Sequence, residues 1–189
     1  MYNIVIVGVG GQGTLLASKM LGQIALENGY DVRVSEVHGM SQRGGSVVTY
    51  VRISNTEPLY SAIVEQEQAD AVLAFENLEA LRALPYLKKD GKMIVNTQEI
   101  LPMPVITGAA EYPADCLERI KKSCNMTALD ATAIAHECGT YKAANVVLMG
   151  VLAKQLPFSY DNWMKVIEST VKPQFIDINK KAFERGYNL

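Results

Sequence analysis

Asn3-Ile4-Val5-Ile6-Val7-Gly8-Val9-Gly10-Gly11-Gln12-Gly13-Thr14 is the stretch that decides the fold. Its first half is an unbroken apolar run, the pattern of a strand buried on both faces of a parallel sheet. Its second half is Gly8-x-Gly10-x-x-Gly13. The residues beyond it turn helical: Leu15/Leu16, Met20/Leu21 and Ile24/Ala25 recur at three-to-four spacing, and Asn28-Gly29 supplies the stop. Asp31-Val32-Arg33-Val34-Ser35 follows as a second strand. Strand, glycine turn, helix and strand in this order form the unit of a doubly wound, Rossmann-like α/β fold.

A glycine turn between a strand and a helix suits an anionic ligand. Gly8 permits the tight turn, Gly10 lets backbone approach the anion, and Gly13 lets helix and strand pack closely. Gly11 adds a position where positive φ costs little, and Thr14 offers a hydroxyl to the first turn. The helix N-terminus presents unpaired N–H groups and the positive end of its dipole. The plainer alternative is a strand–helix turn that binds nothing. Glu36 lies about 20 residues beyond the last glycine, where a dinucleotide domain keeps its ribose-binding carboxylate, so a small NAD(P)-dependent reductase is a second alternative. A dinucleotide domain would use most of this chain and leave little for a substrate domain.

A second glycine-rich stretch is Ser35-Glu36-Val37-His38-Gly39-Met40-Ser41-Gln42-Arg43-Gly44-Gly45. Arg43 can pair bidentately with phosphate or carboxylate, and Gly44-Gly45 allows a backbone nest for an anion. The alternative is a tight connection in which Arg43 bridges Glu36. Both glycine loops follow strands at their carboxyl ends, where open α/β sheets gather ligands. Glu36 and His38 at i, i+2 share one strand face but lack a third metal ligand, and no nucleophile motif accompanies His38. No catalytic or metal-ligating residue is assigned.

Downstream, the pattern predicts a strand over 46–53, antiparallel or at an edge, and one over 69–75. A helix over 78–84, a turn at Asp90-Gly91 and a strand over 92–96 follow. Pro102 and Pro104 break the chain before a short strand at Val105-Ile106, then come a helix over 114–122 and a strand over 127–129. From Ala131 onward the chain reads helical, over 131–138, 145–155, 163–171 and 175–185. The expectation is a single domain over 1–189, with an α/β core over 1–130 and a helical extension over 131–189.

Of the 189 residues, 49% are hydrophobic and 20% charged, with a net charge of −2. That supports a real core and lacks the basic footprint of a nucleic-acid binder. No apolar run has the ~20 residues of a membrane span, and no basic n-region precedes the first strand, so the expectation is a cytoplasmic protein. Cys116, Cys124 and Cys138 have no C-x-x-C spacing and no fourth thiol, which argues against an iron–sulfur cluster on this chain.

The two glycine segments together, Val7 to Gly13 and Ser35 to Val47, closely resemble the gamma domain of 2-oxoacid:ferredoxin oxidoreductases. The Ser-Glu-Val-His-Gly-Met form looks most like that family's indolepyruvate branch, in its small (beta) subunit. Asn145-Val-Val-Leu-Met-Gly150-Val-Leu is similar to the family's Asn-plus-apolar helix. The resemblance implies oxidative decarboxylation of an aryl 2-oxoacid to an acyl-CoA, with electrons passing to ferredoxin. It implies thiamine diphosphate, Mg and [4Fe–4S] clusters on a large partner subunit, and none tightly bound here. Gly8, Gly10, Gly11, Gln12, Gly13 and Thr14 would form an anion-facing loop, and Ser41, Arg43, Gly44 and Gly45 a second, lining a cleft toward coenzyme A or the partner. The chain would be inactive alone, and a homodimer of the isolated chain is a further expectation.

Overall fold

Along the first strand the side chains divide between two cores: Ile4 and Ile6 enter one, Val5 and Val7 the other. Burial on both faces is what the unbroken apolar run requires. The computed structural model describes residues 1–39 and 44–189. Among them are strands β1 (Tyr2–Val9), β2 (Asp31–His38), β3 (Ser46–Ser54), β4 (Ala69–Ala74), β5 (Leu87–Asn96) and β6 (Asn125–Leu129). The helices are α1 (Thr14–Glu27), α2 (Asn77–Ala83), α3 (Met103–Ile106), α4 (Cys116–Ser123), α5 (Ala131–Cys138), α6 (Ala144–Ala153), α7 (Tyr160–Thr170) and α8 (Ile176–Tyr187).

The sheet order is β2-β3-β1-β4-β5-β6. β1, β4, β5 and β6 run parallel, while β3 lies antiparallel between β1 and β2. The chain between His38 and Ser46 is too short for a parallel crossover, which needs a dozen or more residues, so β3 must reverse. It is antiparallel as its sequence suggests, but interior; β2 is the edge. Helices cover both faces, giving the mostly parallel α/β sheet that the first 35 residues imply. α1, α5, α6, α7 and α8 share one core with the sheet, and α2 and α4 share the other.

Two local expectations are corrected. Asp90-Gly91 is part of β5, not a turn. Ala69 pairs with Leu87 and Ala71 with Lys92, so the residues between bulge from the ladder. A Cβ on Gly91 would lie 2.8 Å from the Ala69 carbonyl oxygen, a close approach only glycine allows. Val105-Ile106 is helical rather than a strand. Pro102 caps and Pro104 opens a single turn, places where proline's fixed φ and missing N–H cost nothing.

The carboxy-terminal helices are fastened to the sheet by α6, buried along its whole length from Asn145 to Ala153. α8 crosses it at a pair of glycines. A Cβ on Gly150 would stand 2.2 Å from the Phe183 carbonyl oxygen, and one on Gly186 would stand 1.9 Å from that of Val147. Both clashes are with backbone, so relief requires moving a helix. Gly186→Ala is expected to lower stability by about 1–3 kcal/mol in a denaturant titration, the usual range for overpacking. An unchanged midpoint would mean that the two helices are not in this contact.

Candidate functional site

β1 and β4 are adjacent and parallel, yet α1 after β1 packs on one face and α2 after β4 on the other. The gap between their carboxyl ends is therefore a switch point, the place where such sheets bind ligands. A cleft of about 450 Å³ opens there, lined by Gly11, Gln12 and Gly13, by Phe75, Asn96 and Gln98, and by Thr132, Tyr141, Lys142, Ala144, Asn145 and Leu148.

The first glycine loop is shaped by what touches it. Gly8 sits inside β1, where a Cβ would come within 2.9 Å of Gln12 Oε1 and 3.1 Å of Phe75 Cβ. Its role is close packing rather than the turn. Gly11 and Gly13 have φ of 103° and 90°, conformations that favour glycine. A Cβ on Gly13 would also fall 2.3 Å from Asn145 Nδ2, which donates to the Gly13 carbonyl at 3.2 Å. Gly10 is spent on the second loop. Its N–H donates to the Gly45 carbonyl at 2.8 Å, and its carbonyl accepts from Gly44 at 3.5 Å. The two loops thus meet at one rim. Ser41 and Arg43 lie outside the described residues.

Gln12 points inward. Its Oε1 accepts from Val9 N–H at 2.7 Å, and its Nε2 donates to the Phe75 carbonyl at 2.9 Å and to Gln98 Oε1 at 3.0 Å. Asn96, 1% exposed, continues the network: Nδ2 donates to Phe75 O and Thr132 Oγ1, and Oδ1 accepts from Ala131 N–H at the start of α5. The cleft floor is a carboxamide network. The N–H groups of Gly11 and Gly13, which line the cleft with exposed Lys142, and those of Thr14 and Leu15 next to them at the start of α1, have no acceptor among the described residues. Such donors at a helix start, with Lys142 and no carboxylate among the described residues that line the cleft, favour an anion.

Glu36 holds the loop rather than opening to solvent. Its Oε2 accepts from Thr14 Oγ1 at 3.4 Å and Thr49 Oγ1 at 3.2 Å. This ties α1 to β3 across the sheet. His38 is exposed, its Nδ1 3.0 Å from the Gly39 carbonyl, and His136 lines a groove beside Tyr141.

A third loop rises from the rim after β5, anchored by Glu76, which is 1% exposed. Glu76 Oε1 accepts from Ile100 N–H at 3.1 Å and Tyr112 OH at 2.5 Å, while Oε2 caps α2 through Glu79 N–H at 2.8 Å. Burial and the facing Glu76 carboxylate push the Tyr112 hydroxyl well above the usual tyrosine range. Burial also raises the thiols of Cys116 and Cys124, which donate to the Pro113 and Ile120 carbonyls. Among the described residues no group of three His, Cys, Asp or Glu could hold a metal ion, and no helix is long and apolar enough to cross a membrane.

Sequence reasoning named the glycines but missed Phe75, Asn96, Gln98, Thr132, Tyr141 and Lys142. Asn96 and Gln98 did leave a signal: polar residues ending the apolar run Met93-Ile94-Val95 at the carboxyl end of a parallel strand.

The fold and the rim thus define a switch-point α/β domain with a donor-lined cleft. Residues 3–189 match the family described as pyruvate ferredoxin/flavodoxin oxidoreductase, and the chain belongs to that family. It is 47% identical to the indolepyruvate oxidoreductase subunit IorB of Thermococcus kodakarensis, over 98% of this chain and 94% of that protein. It is 27% identical to the common gamma subunit of pyruvate/ketoisovalerate oxidoreductases from the same organism, over 96% of this chain and 92% of that one. Among solved structures, pyruvate oxidoreductase subunit PORC from Thermotoga maritima superposes with a TM-score of 0.75 at 26% identity, over 99% of this chain and 95% of that chain.

Gln12→Ala would take the side-chain acceptor from Val9 N–H and leave the Phe75 carbonyl with Asn96 as its one remaining side-chain donor among the described residues. The expected cost is about 1–3 kcal/mol in a denaturant titration, the range for orphaned buried polar groups. Wild-type stability would show that the bridge between the strand ends holds nothing.

Proposed function

We propose that this chain is the small subunit of an indolepyruvate-type 2-oxoacid:ferredoxin oxidoreductase in the cytoplasm, and that its cleft helps to hold coenzyme A against a large partner subunit. The observation that carries this reading is the meeting of both glycine loops at the switch point, joined through Gly10 and Gly45, beside unpaired N–H donors and Lys142. The relatedness to IorB subunits supports the choice of branch.

On this reading the chain binds and orients but does not react. The N–H groups of Gly11, Gly13, Thr14 and Leu15 and the Lys142 ammonium would hold phosphate oxygens of coenzyme A. Gly8 and Gln12 shape that loop from beneath. Ser41, Arg43, Gly44 and Gly45 would close the second side, with Arg43 supplying a bidentate contact. Thiamine diphosphate, Mg and the [4Fe–4S] clusters of the partner supply decarboxylation and electron transfer to ferredoxin. The dinucleotide-reductase alternative is disfavoured because Glu36 Oε2 already serves two threonine hydroxyls and β2 is separated from β1 by β3.

The test is steady-state kinetics of the holoenzyme rebuilt with Lys142→Ala and, separately, Arg43→Ala. Each should raise the KM for coenzyme A roughly tenfold to a hundredfold, the size of one charge-assisted hydrogen bond, with assembly intact. The isolated chain should be inactive and colourless. Unchanged coenzyme A kinetics in both variants, or turnover by the chain alone, would overturn the proposal.

A further inference from the structure

The loop anchored by Glu76 does something the cleft does not explain. Its sequence from Ile100 to Ala110, Ile-Leu-Pro-Met-Pro-Val-Ile-Thr-Gly-Ala-Ala, carries no charge. Leu101, Met103 and Ile106 are 49%, 65% and 62% exposed. One exposed apolar side chain needs no explanation, but three within six residues mark an interaction site.

The loop is built to stay in shape. Val105 and Ile106 donate to the Pro102 carbonyl, Ala109 and Ala110 to that of Pro104, and Thr107 Oγ1 bonds to the Met103 carbonyl. Gly108, at φ 76°, closes the turn, and the buried Glu76 carboxylate clasps both ends through Ile100 and Tyr112. Side chains carried on backbone that is already ordered lose less entropy on binding and so make better anchors. The loop also leaves the same rim as the cleft: Gln98, two residues before Ile100, lines the cleft and is bonded to Gln12.

We propose that residues 100–110 form a preformed apolar plug that seats in an apolar, basic-rimmed pocket of the large companion subunit and so holds that subunit over the cleft. The identity of the companion rests on the function proposed above. Charge selects this occupant. Glu99 and Glu111 bracket the plug, so the receiving pocket must be apolar at its centre and cationic at its edge. Two copies of this chain meeting through the plug by two-fold symmetry would set these carboxylates against their own kind. An anionic lipid surface would be repelled in the same way.

The experiment measures the affinity of the full-length chain for the recombinant large subunit. Met103→Asp/Ile106→Asp should weaken it by roughly thirtyfold or more, the effect of losing a binding hot spot, while the melting temperature of the free chain stays unchanged. Met103→Ser/Ile106→Ser should weaken it in the same direction. Glu99→Lys/Glu111→Lys should weaken it too, and raised salt should weaken the wild type. Tyr60→Asp, 95% exposed beside the amino end of β2, should leave it unchanged. Wild-type affinity in both Met103/Ile106 double variants overturns the plug, as does a self-association or vesicle binding of the free chain that those substitutions abolish. Failure of the wild-type chain to bind the large subunit at all instead overturns the subunit reading.

Discussion

The Gln12 side chain is the constraint on which the rim depends. A single carboxamide takes the N–H of Val9, donates to the carbonyl of Phe75 and reaches Gln98, joining the carboxyl end of β1 to the residues that follow β4 and β5. Strand ends at a switch point diverge because their helices leave on opposite faces, and backbone groups there have no neighbouring strand to satisfy them. Gln12 satisfies the Val9 N–H and shares the Phe75 carbonyl with Asn96, while the N–H groups of Gly11, Gly13, Thr14 and Leu15 have no acceptor among the described residues. Gly8 leaves room for the amide, since a Cβ there would lie 2.9 Å from Gln12 Oε1 and 3.1 Å from Phe75 Cβ and would push the amide from its place.

Three loops share this rim, and each is fixed by a different polar device. Gln12 holds the first, the Gly10–Gly45 bond ties the second to it, and buried Glu76 holds the third. The result is a cleft whose floor is a hydrogen-bonded amide network and whose glycine loop keeps donors without an acceptor among the described residues, flanked by an uncharged, exposed turn. Such a rim has polar chemistry in the middle and apolar side chains beside it. That division suits a surface covered by another chain, where the covering excludes water and strengthens the donors' hold on an anion.

How much of this was legible in the sequence follows from the range of the interactions involved. β1, the glycine turn and α1 were readable because periodicity and turn chemistry are local, and the paired glycine segments carried the family. The place of β3 between β1 and β2 was not, since strand pairing is non-local. The partners of Gln12 lie at Phe75 and Gln98, and those of Glu36 at Thr14 and Thr49, so no spacing rule announces them. Val105-Ile106 has strand-forming residues, but two prolines favoured a helical turn. Gly91 looked like a turn residue because it is flexible, and β5 uses it for a close backbone approach within a bulge instead. Ser41 and Arg43 fall outside the described residues, so their sequence-based roles stand as proposals.

The central claim is that this rim is finished only by a companion chain. Hydrogen exchange read at the amides of Gly11, Gly13, Thr14 and Leu15 and across residues 100–110, in the free chain and in the holoenzyme, tests it most directly. The account predicts fast exchange at the four loop amides in the free chain, and protection of both regions on assembly, deepened at the glycine loop by coenzyme A. Protection that appears instead along the β2 edge or around the amino ends of the strands, with the rim unchanged, would contradict it.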